Sequence, residues 1–324
     1  QQLCVDAGML RRDEHGELSV DVERTVAMLV LTAVHDVMKV EALLPVVESR
    51  HAPYCGFKRG DLINDHDVAL GYVLDHHGEL LPSFARLPPR QQRAVRFTQA
   101  KMAFNHGWLV QAEAPPGALF SRFKTVIATE GAEDADIAFY FVHWLTDLAG
   151  AEPSPLQGCE KFVVKFPHSV LTQFVNSFAL VQRLAHAQET ELMQAYLDSS
   201  WAQAMPDVPR PAGPEAVALM RLVVQTQAAE DQKRVAAAFY QLTANEQALL
   251  SLEMGLSGVA GQGYTLATPP PPGAGPAFLV YYSPAFVRQF VHDMLTSLRI
   301  LAEVYRAARK AGARGGRRGW PRTG

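Results

Sequence analysis

The sequence has few cysteines, almost no excess of charge of either sign, and no long hydrophobic run. Its three cysteines, Cys4, Cys55 and Cys159, are widely separated and form no CxxC pair. That excludes a disulfide framework or a zinc-thiolate knuckle and suits a reducing compartment, so a cytoplasmic location is expected. No apolar stretch approaches the roughly 18 residues needed to span a bilayer, and no signal-peptide pattern opens the chain, so no membrane association is expected. Thirty lysines and arginines against 33 aspartates and glutamates leave a formal charge of −3, which gives no reason to expect nucleic acid as a partner. There is also no GxGxxG, no P-loop, no GxSxG elbow and no internal repeat, which removes the common phosphate-cradling loops and the serine-hydrolase nucleophile. The first residue is glutamine rather than methionine, and a fragment or a processed product is the expectation.

What is present is helical pattern over most of 324 residues, 48% of them hydrophobic, enough for one large core or two smaller ones. Residues 20–35 place Val22, Val26, Leu29, Val30 and Ala33 at three- and four-residue spacings, a stripe that ends at His35. Asn64 reads as a helix N-cap with Asp67 three positions on. The helix it opens carries His66, Leu70, Val73 and His77 on one face, with His76-His77 as a solvated end. Glu133, Asp134 and Asp136 stand where acidic residues favour a helix start, and Gly150 where a glycine favours a stop. Between them His143 and Asp147 share a face. Further helices are expected over 168–186, 188–204, 215–229, 230–242 and 244–256. "PDVPRPAGP" (206–214) and "TPPPPGAGP" (268–276) break the pattern, "AFLVYY" (277–282) reads as a short strand, and Ser283-Pro284 opens a last helix. Its stripe of Phe286, Phe290, Met294, Leu298, Leu301 and Tyr305 must be covered, either by the helices of 215–256 or by a second copy, so a homodimer through this helix is one expectation. From Gly312 onward the chain is Gly/Arg-rich and reads as a disordered basic tail.

The chemistry is carried by "AVHDVMK" (33–39). Adjacent histidine and aspartate at the end of an apolar helix can both reach one metal site, the aspartate bridging two ions. A further aspartate from a distant helix completes such a cluster, and the ions then lower the pKa of a bound water to make a nucleophile. Asp147 is the candidate for that role.

"VERTVAMLVLTAVHDV", "NDHDVALGYVL" and "VHWLTDLAGAEP", in that order, resemble the HD-domain metal-dependent phosphohydrolases and most of all the catalytic domain of cyclic-nucleotide phosphodiesterases. The resemblance covers roughly residues 18–204, and its weight lies in order and spacing rather than in any one motif. It implies an all-α, HD-domain-like helical bundle over residues 1–205; beyond it the residue pattern reads as a helical C-terminal region over 206–311 and the tail of 312–324. It also implies a 3′,5′-cyclic-nucleotide phosphodiester hydrolase that uses divalent Zn, Mg or Mn on a small nucleotide substrate. His35, Asp36 and Asp147 match the metal ligands. His66 falls in the motif that orders water or the transition state, and Asp65 stands near a position the family fills with glutamate. Lys39 departs from the phosphodiesterase histidine and matches the lysine of many bacterial HD hydrolases, where it would neutralise a phosphate oxygen. His143 lies four positions before Asp147 rather than three. Gln173 with Phe174 or Phe178 offers the residue types of the family's glutamine and aromatic clamp on the base, at a spacing that is not the family's. The family's first metal histidine and its proton-donating histidine lie well upstream of the HD pair, and here only His15 precedes His35. That departure supports an alternative reading, a degenerate HD domain acting as a non-catalytic helical sensor or scaffold. A third reading, an unrelated helical interaction protein, rests on the apolar C-terminal helix.

Overall fold

A computed structural model describes residues 1–102, 104–110, 112, 116–150, 168–226, 228–256, 287 and 291–315. Among the described residues the fold is all-α apart from a two-stranded hairpin. Helices α1 (Gln2–Asp6), α2 (Val22–Val34), α3 (His66–His76), α4 (Pro82–Ala85), α5 (Pro89–Gln99), α6 (His106–Val110), α7 (Pro116–Glu130) and α8 (Asp134–Gly150) come first. They are followed by α9 (His168–Gln182), α10 (Glu189–Ala204), α11 (Ala216–Thr226), α12 (Ala229–Tyr240), α13 (Ala244–Leu256) and α14 (Met294–Gly315). Strands β1 (Leu10–Arg12) and β2 (Leu18–Val20) pair antiparallel between α1 and α2, with Arg11 opposite Ser19. The chain divides into two compact units, residues 1–103 with 123–185, and residues 104–122 with 186–324. The Pro-rich segment 206–214 therefore lies inside the second unit, where it turns between α10 and α11; Trp201 Nε1 donates to the Val208 carbonyl and Arg210 pairs with Asp198.

In the first unit α8 is the central helix, with α1, α2, α5 and α9 packed around it. Its start is held by Arg24. This guanidinium is 5% exposed. It donates to the Ala7 carbonyl (2.9 Å), to Gln91 Oε1 (3.2 Å), to the Ala135 carbonyl (3.0 Å) and to Asp136 Oδ1 (2.8 Å). The cation also lies 4.3 Å from the centre of the Phe139 ring. A buried charge is tolerated only when it is paired and its donors are used, and here three other helices, α1, α5 and α8, supply the partners.

The face of α2 that meets the core is not the expected one. Val22, Val26 and Leu29 are 68%, 42% and 63% exposed. Arg24, Ala27, Met28, Leu31 and Val34 are buried instead. The helix carries apolar residues all round, so spacing alone could not choose a face; the Arg24 network did. Two local readings also shift. The N-cap of α3 is Asp65, whose Oδ1 accepts from the Val68 N–H, not Asn64. Helix α14 continues through Gly315, into the first residues of the Gly/Arg-rich stretch.

In the second unit α11 is buried almost all round. Its Arg221, 1% exposed, donates twice to the Ala112 carbonyl (3.1 and 3.0 Å) and once to the Met254 carbonyl (2.8 Å). Met294, Leu298, Leu301 and Tyr305 of α14 are buried, and α14 packs on α12 and α13. The described part of this stripe is therefore covered within the chain, by the first of the two partners expected for it. Phe286, Phe290, the segment 277–282 and the cap at 283–284 lie outside the described residues.

Replacing Arg24 with alanine leaves Asp136 and two carbonyls without their donor, and is expected to cost about 3–5 kcal/mol in urea unfolding of the full chain. Asp21, which caps α2 by accepting from the Arg24 N–H, is expected to cost only about 1 kcal/mol as Asp21→Ala. Equal losses in the two variants would refute the central role of Arg24.

Candidate metal centre

Two helix ends make the site. His35 caps α2, its N–H bonded to the Leu31 carbonyl, and Asp36 leads into the 3-10 turn Val37–Lys39. Asp147 lies in the last turn of α8. The offset that joins Arg24 to Asp136 is 112 residues, and the offset that joins His35 to Asp147 is again 112. Each helix thus advances 11 residues, about three turns, between the two contacts. α2 and α8 run side by side in the same direction, and the register set at their starts delivers His35 to Asp147 at their ends.

The final carbonyls of a helix have no partner within it, and the His35 ring takes one of them: Nδ1 lies 2.8 Å from the Thr32 oxygen. A carbonyl only accepts, so Nδ1 carries the hydrogen. Nε2 then faces two carboxylates, 3.0 Å from Asp147 Oδ1 and 3.5 Å from Asp36 Oδ2. In a neutral imidazole of this tautomer Nε2 bears the lone pair, which repels both carboxylates unless a cation lies between them. A proton can be that cation. The hydrogen bond to Asp147 holds the His35 pKa above its ordinary value despite burial, and the same bond holds Asp147 below its own. A divalent ion can take the proton's place. One ligand atom from each of His35, Asp36 and Asp147 lies within 4.8 Å of the others. Tetrahedral ligands at about 2.0–2.2 Å from an ion sit about 3.3–3.6 Å apart, close to the separations found. The backbone bond on Nδ1 is also how metal-bound histidines are commonly oriented.

The field favours a cation as well. The negative ends of two helix dipoles and two carboxylates meet here, and an aspartate in the last turn of a helix is unfavourable without positive charge nearby. Lys39 supplies some, its Nζ 2.6 Å from Asp36 Oδ2. Asp36 and Asp147 are about half exposed, so the cluster is open to small solutes.

The other expected site residues are placed less uniformly. His143 packs edge-on to His35 with ring centres 5.0 Å apart. It is 8% exposed, its Nδ1 has no hydrogen-bond partner, and burial, with His35 adding to it, pushes its pKa down to about 4. It is neutral at neutral pH. His66 pairs with its neighbour, Nε2 3.3 Å from Asp67 Oδ1, and does not join the three converging ligands. Asp65 is occupied as the α3 cap and by Lys101, 2.6 Å away. Phe174 and Phe178 do not form an open clamp: they are 5% and 1% exposed, Phe178 stacked on Phe141 and Phe174 edge-on to Trp144, filling the α8–α9 interface. Gln173, on the same helix, is half-buried, and its Oε1 has no hydrogen-bond partner. Sequence patterning carried no signal for Glu48 and His51, which the fold brings to His77. A loop residue and a helix-end residue leave no periodic trace.

The fold and the site together define an all-α protein with a His-Asp-Asp cluster at the joined ends of two parallel helices. Residues 15–302 match the model of DUF6829, a family of unknown function, and the chain belongs to that family. No curated protein and no solved structure matches it.

The pH dependence of the ion pair can be worked out for the metal-free chain. His35, raised above its ordinary 6.5, adds stability below that value and loses it as pH rises through the raised pKa. Asp147, lowered from 3.8, adds stability above that value and loses it as pH falls through the lowered pKa. These are two views of one interaction. In EDTA, the stability difference between wild type and His35→Gln is therefore expected to be largest between pH 3.8 and 6.5 and to shrink above. A difference that instead grows from pH 6.5 to 9 would show that the pair is not what His35 contributes.

Proposed function

We propose that the chain is a divalent-metal-dependent phosphohydrolase of the HD type, acting on a phosphodiester of the cyclic-nucleotide class. The observation that carries the reading is the orientation of His35: its Nδ1–H is used by a backbone carbonyl, so that Nε2 and two carboxylates from separate elements aim at one point. In this reading His35, Asp36 and Asp147 hold Zn, Mg or Mn. Bound there, the ion would supply a water of lowered pKa and polarise a phosphoryl oxygen. Lys39, whose ammonium is half exposed beside Asp36, neutralises charge that develops on the phosphate. His143, kept neutral by burial, limits positive charge beside the ligands and leaves the carboxylates free for the ion. His66 and Asp67 stand at the start of α3, which packs against the Val37–Lys39 turn, and would order water on that side. With both phenylalanine rings buried, recognition rests on the phosphodiester rather than on a stacked base.

A non-catalytic HD-like scaffold is the second reading, and one contact favours it. The bond from Lys39 to Asp36 already satisfies that carboxylate without any metal, as a purely structural cluster would.

Turnover of bis-p-nitrophenyl phosphate and of a 3′,5′-cyclic nucleotide with added Mn²⁺ or Zn²⁺ separates the two. Metal-dependent hydrolysis is expected, abolished by EDTA and reduced at least about 100-fold by Asp36→Ala or Asp147→Asn. Lys39→Ala is expected to lower kcat by about 10²–10³ without weakening metal binding. Metal-independent hydrolysis, or none at all in a folded chain, would overturn the catalytic reading; the second outcome would favour the scaffold.

A further inference from the structure

A second group of imidazole and carboxylate ligands lies at the C-terminal end of α3. We infer that Glu48, His51 and His77 form a transition-metal site of the zinc class that fastens the loop of residues 44–63 to the C-terminal end of α3. This site is independent of the phosphohydrolase reading.

The loop is built to hold its ligands in place. The Val47 N–H donates to the Asp61 carbonyl (3.0 Å), the Gly60 N–H to the Val47 carbonyl (2.9 Å) and the Ile63 N–H to the Pro45 carbonyl (3.0 Å). Val47 and Ile63 are buried in the core of the first unit, so Glu48 leaves from a pinned backbone. Tyr72 of α3, fully buried, holds both loop ligands with one hydroxyl. Its oxygen accepts from the Glu48 N–H at 3.0 Å and lies 2.9 Å from His51 Nδ1.

The ligand atoms of Glu48, His51 and His77 lie within 4.8 Å of one another, and His77 Nε2 is 3.1 Å from Glu48 Oε1. Arg50 takes the other oxygen of Glu48 at 2.9 Å, which leaves Oε1 turned to the imidazole. The His76 ring stacks on His51 with centres 3.7 Å apart and planes within 8°, which sets the plane of that ligand. Orientation of ligands by an outer layer of partners is a mark of built metal sites. The Glu48–His77 pair alone would account for two of these residues. It leaves unexplained why Tyr72 and His76 also hold His51 against them. Two imidazoles and one carboxylate suit zinc and its neighbours rather than magnesium or calcium, which prefer oxygen. Three protein ligands leave the fourth position to water. All three residues are partly exposed, so an ion can enter from solvent.

The test uses the full chain carrying Asp36→Ala and Asp147→Asn, so that the first cluster cannot contribute. Co²⁺, a visible-absorbing stand-in for Zn²⁺, is expected to bind this chain at one equivalent, and Zn²⁺ to displace it. Adding Glu48→Gln or His51→Ala is expected to weaken binding at least about tenfold. Glu48→Gln keeps the side-chain length and the bond to Arg50, and far-ultraviolet circular dichroism checks that each variant is folded. Zn²⁺ is also expected to slow tryptic cleavage after Arg50, Lys58 and Arg59 in the parent but not in Glu48→Gln. Equal Co²⁺ affinity in the parent and both variants, or cleavage that Zn²⁺ does not slow in the parent, would overturn the site. Neither outcome depends on whether the chain hydrolyses phosphodiesters.

Discussion

The buried guanidinium of Arg24 sets the geometry on which the first unit depends. It ties α1, α2, α5 and the start of α8 at one point, and each of its contacts replaces a hydrogen bond that water would otherwise make. Because α2 and α8 are straight pieces of the same period, fixing their relative register at one end fixes it at the other. Two steps of 11 residues, one along each helix, carry that register from Arg24 and Asp136 to His35 and Asp147. A slip of one residue on either helix would rotate one partner by about 100° and part the imidazole from the carboxylate.

The electrostatics at the far end follow from this parallel pairing. Antiparallel helices would set a positive dipole end against a negative one; here two negative ends and two carboxylates coincide. Lys39 answers with its ammonium, the hydrogen bond to Asp147 raises the pKa of His35, and the carboxylates stay half exposed. The second unit is organised on the same physical plan: a buried arginine, Arg221, spends its donors on backbone carbonyls of two other segments around an almost fully buried α11.

Helix α3 joins these features in the first unit. It packs on the turn that holds Lys39, and its end carries His76 and His77 against the loop of Glu48 and His51. The two ligand clusters share no residue. They draw on different elements.

The helical class and most helix positions were legible in the chain, because amphipathic period, acidic starts and proline breaks act through the nearest few residues. The segments at 168–186, 188–204 and 244–256, and the buried stripe from Met294 to Tyr305, needed nothing more, while the helix expected over 215–229 ends at Thr226 and Ala229 opens the next. Asp36 and Asp147 could be paired as candidates from motif order. Their convergence with His35 could not be derived, since it depends on the register of two helices more than a hundred residues apart in sequence. The buried side of α2 was misjudged for a related reason: Val22, Val26 and Leu29 are as apolar as Ala27, Met28 and Leu31, and only the pull of Arg24 toward Asp136 chose between them. Phe174 and Phe178 looked available by type and position, but packing against Phe141 and Trp144 used them. The meeting of Glu48 and His51 with His77 left no trace in local pattern, because a loop's path is set by the hydrogen bonds and buried anchors it finds on the folded core. Local sequence determined where the helices are; which residues meet across them was decided by tertiary packing, because contact between distant segments is set by long-range burial and charge pairing that no local period encodes.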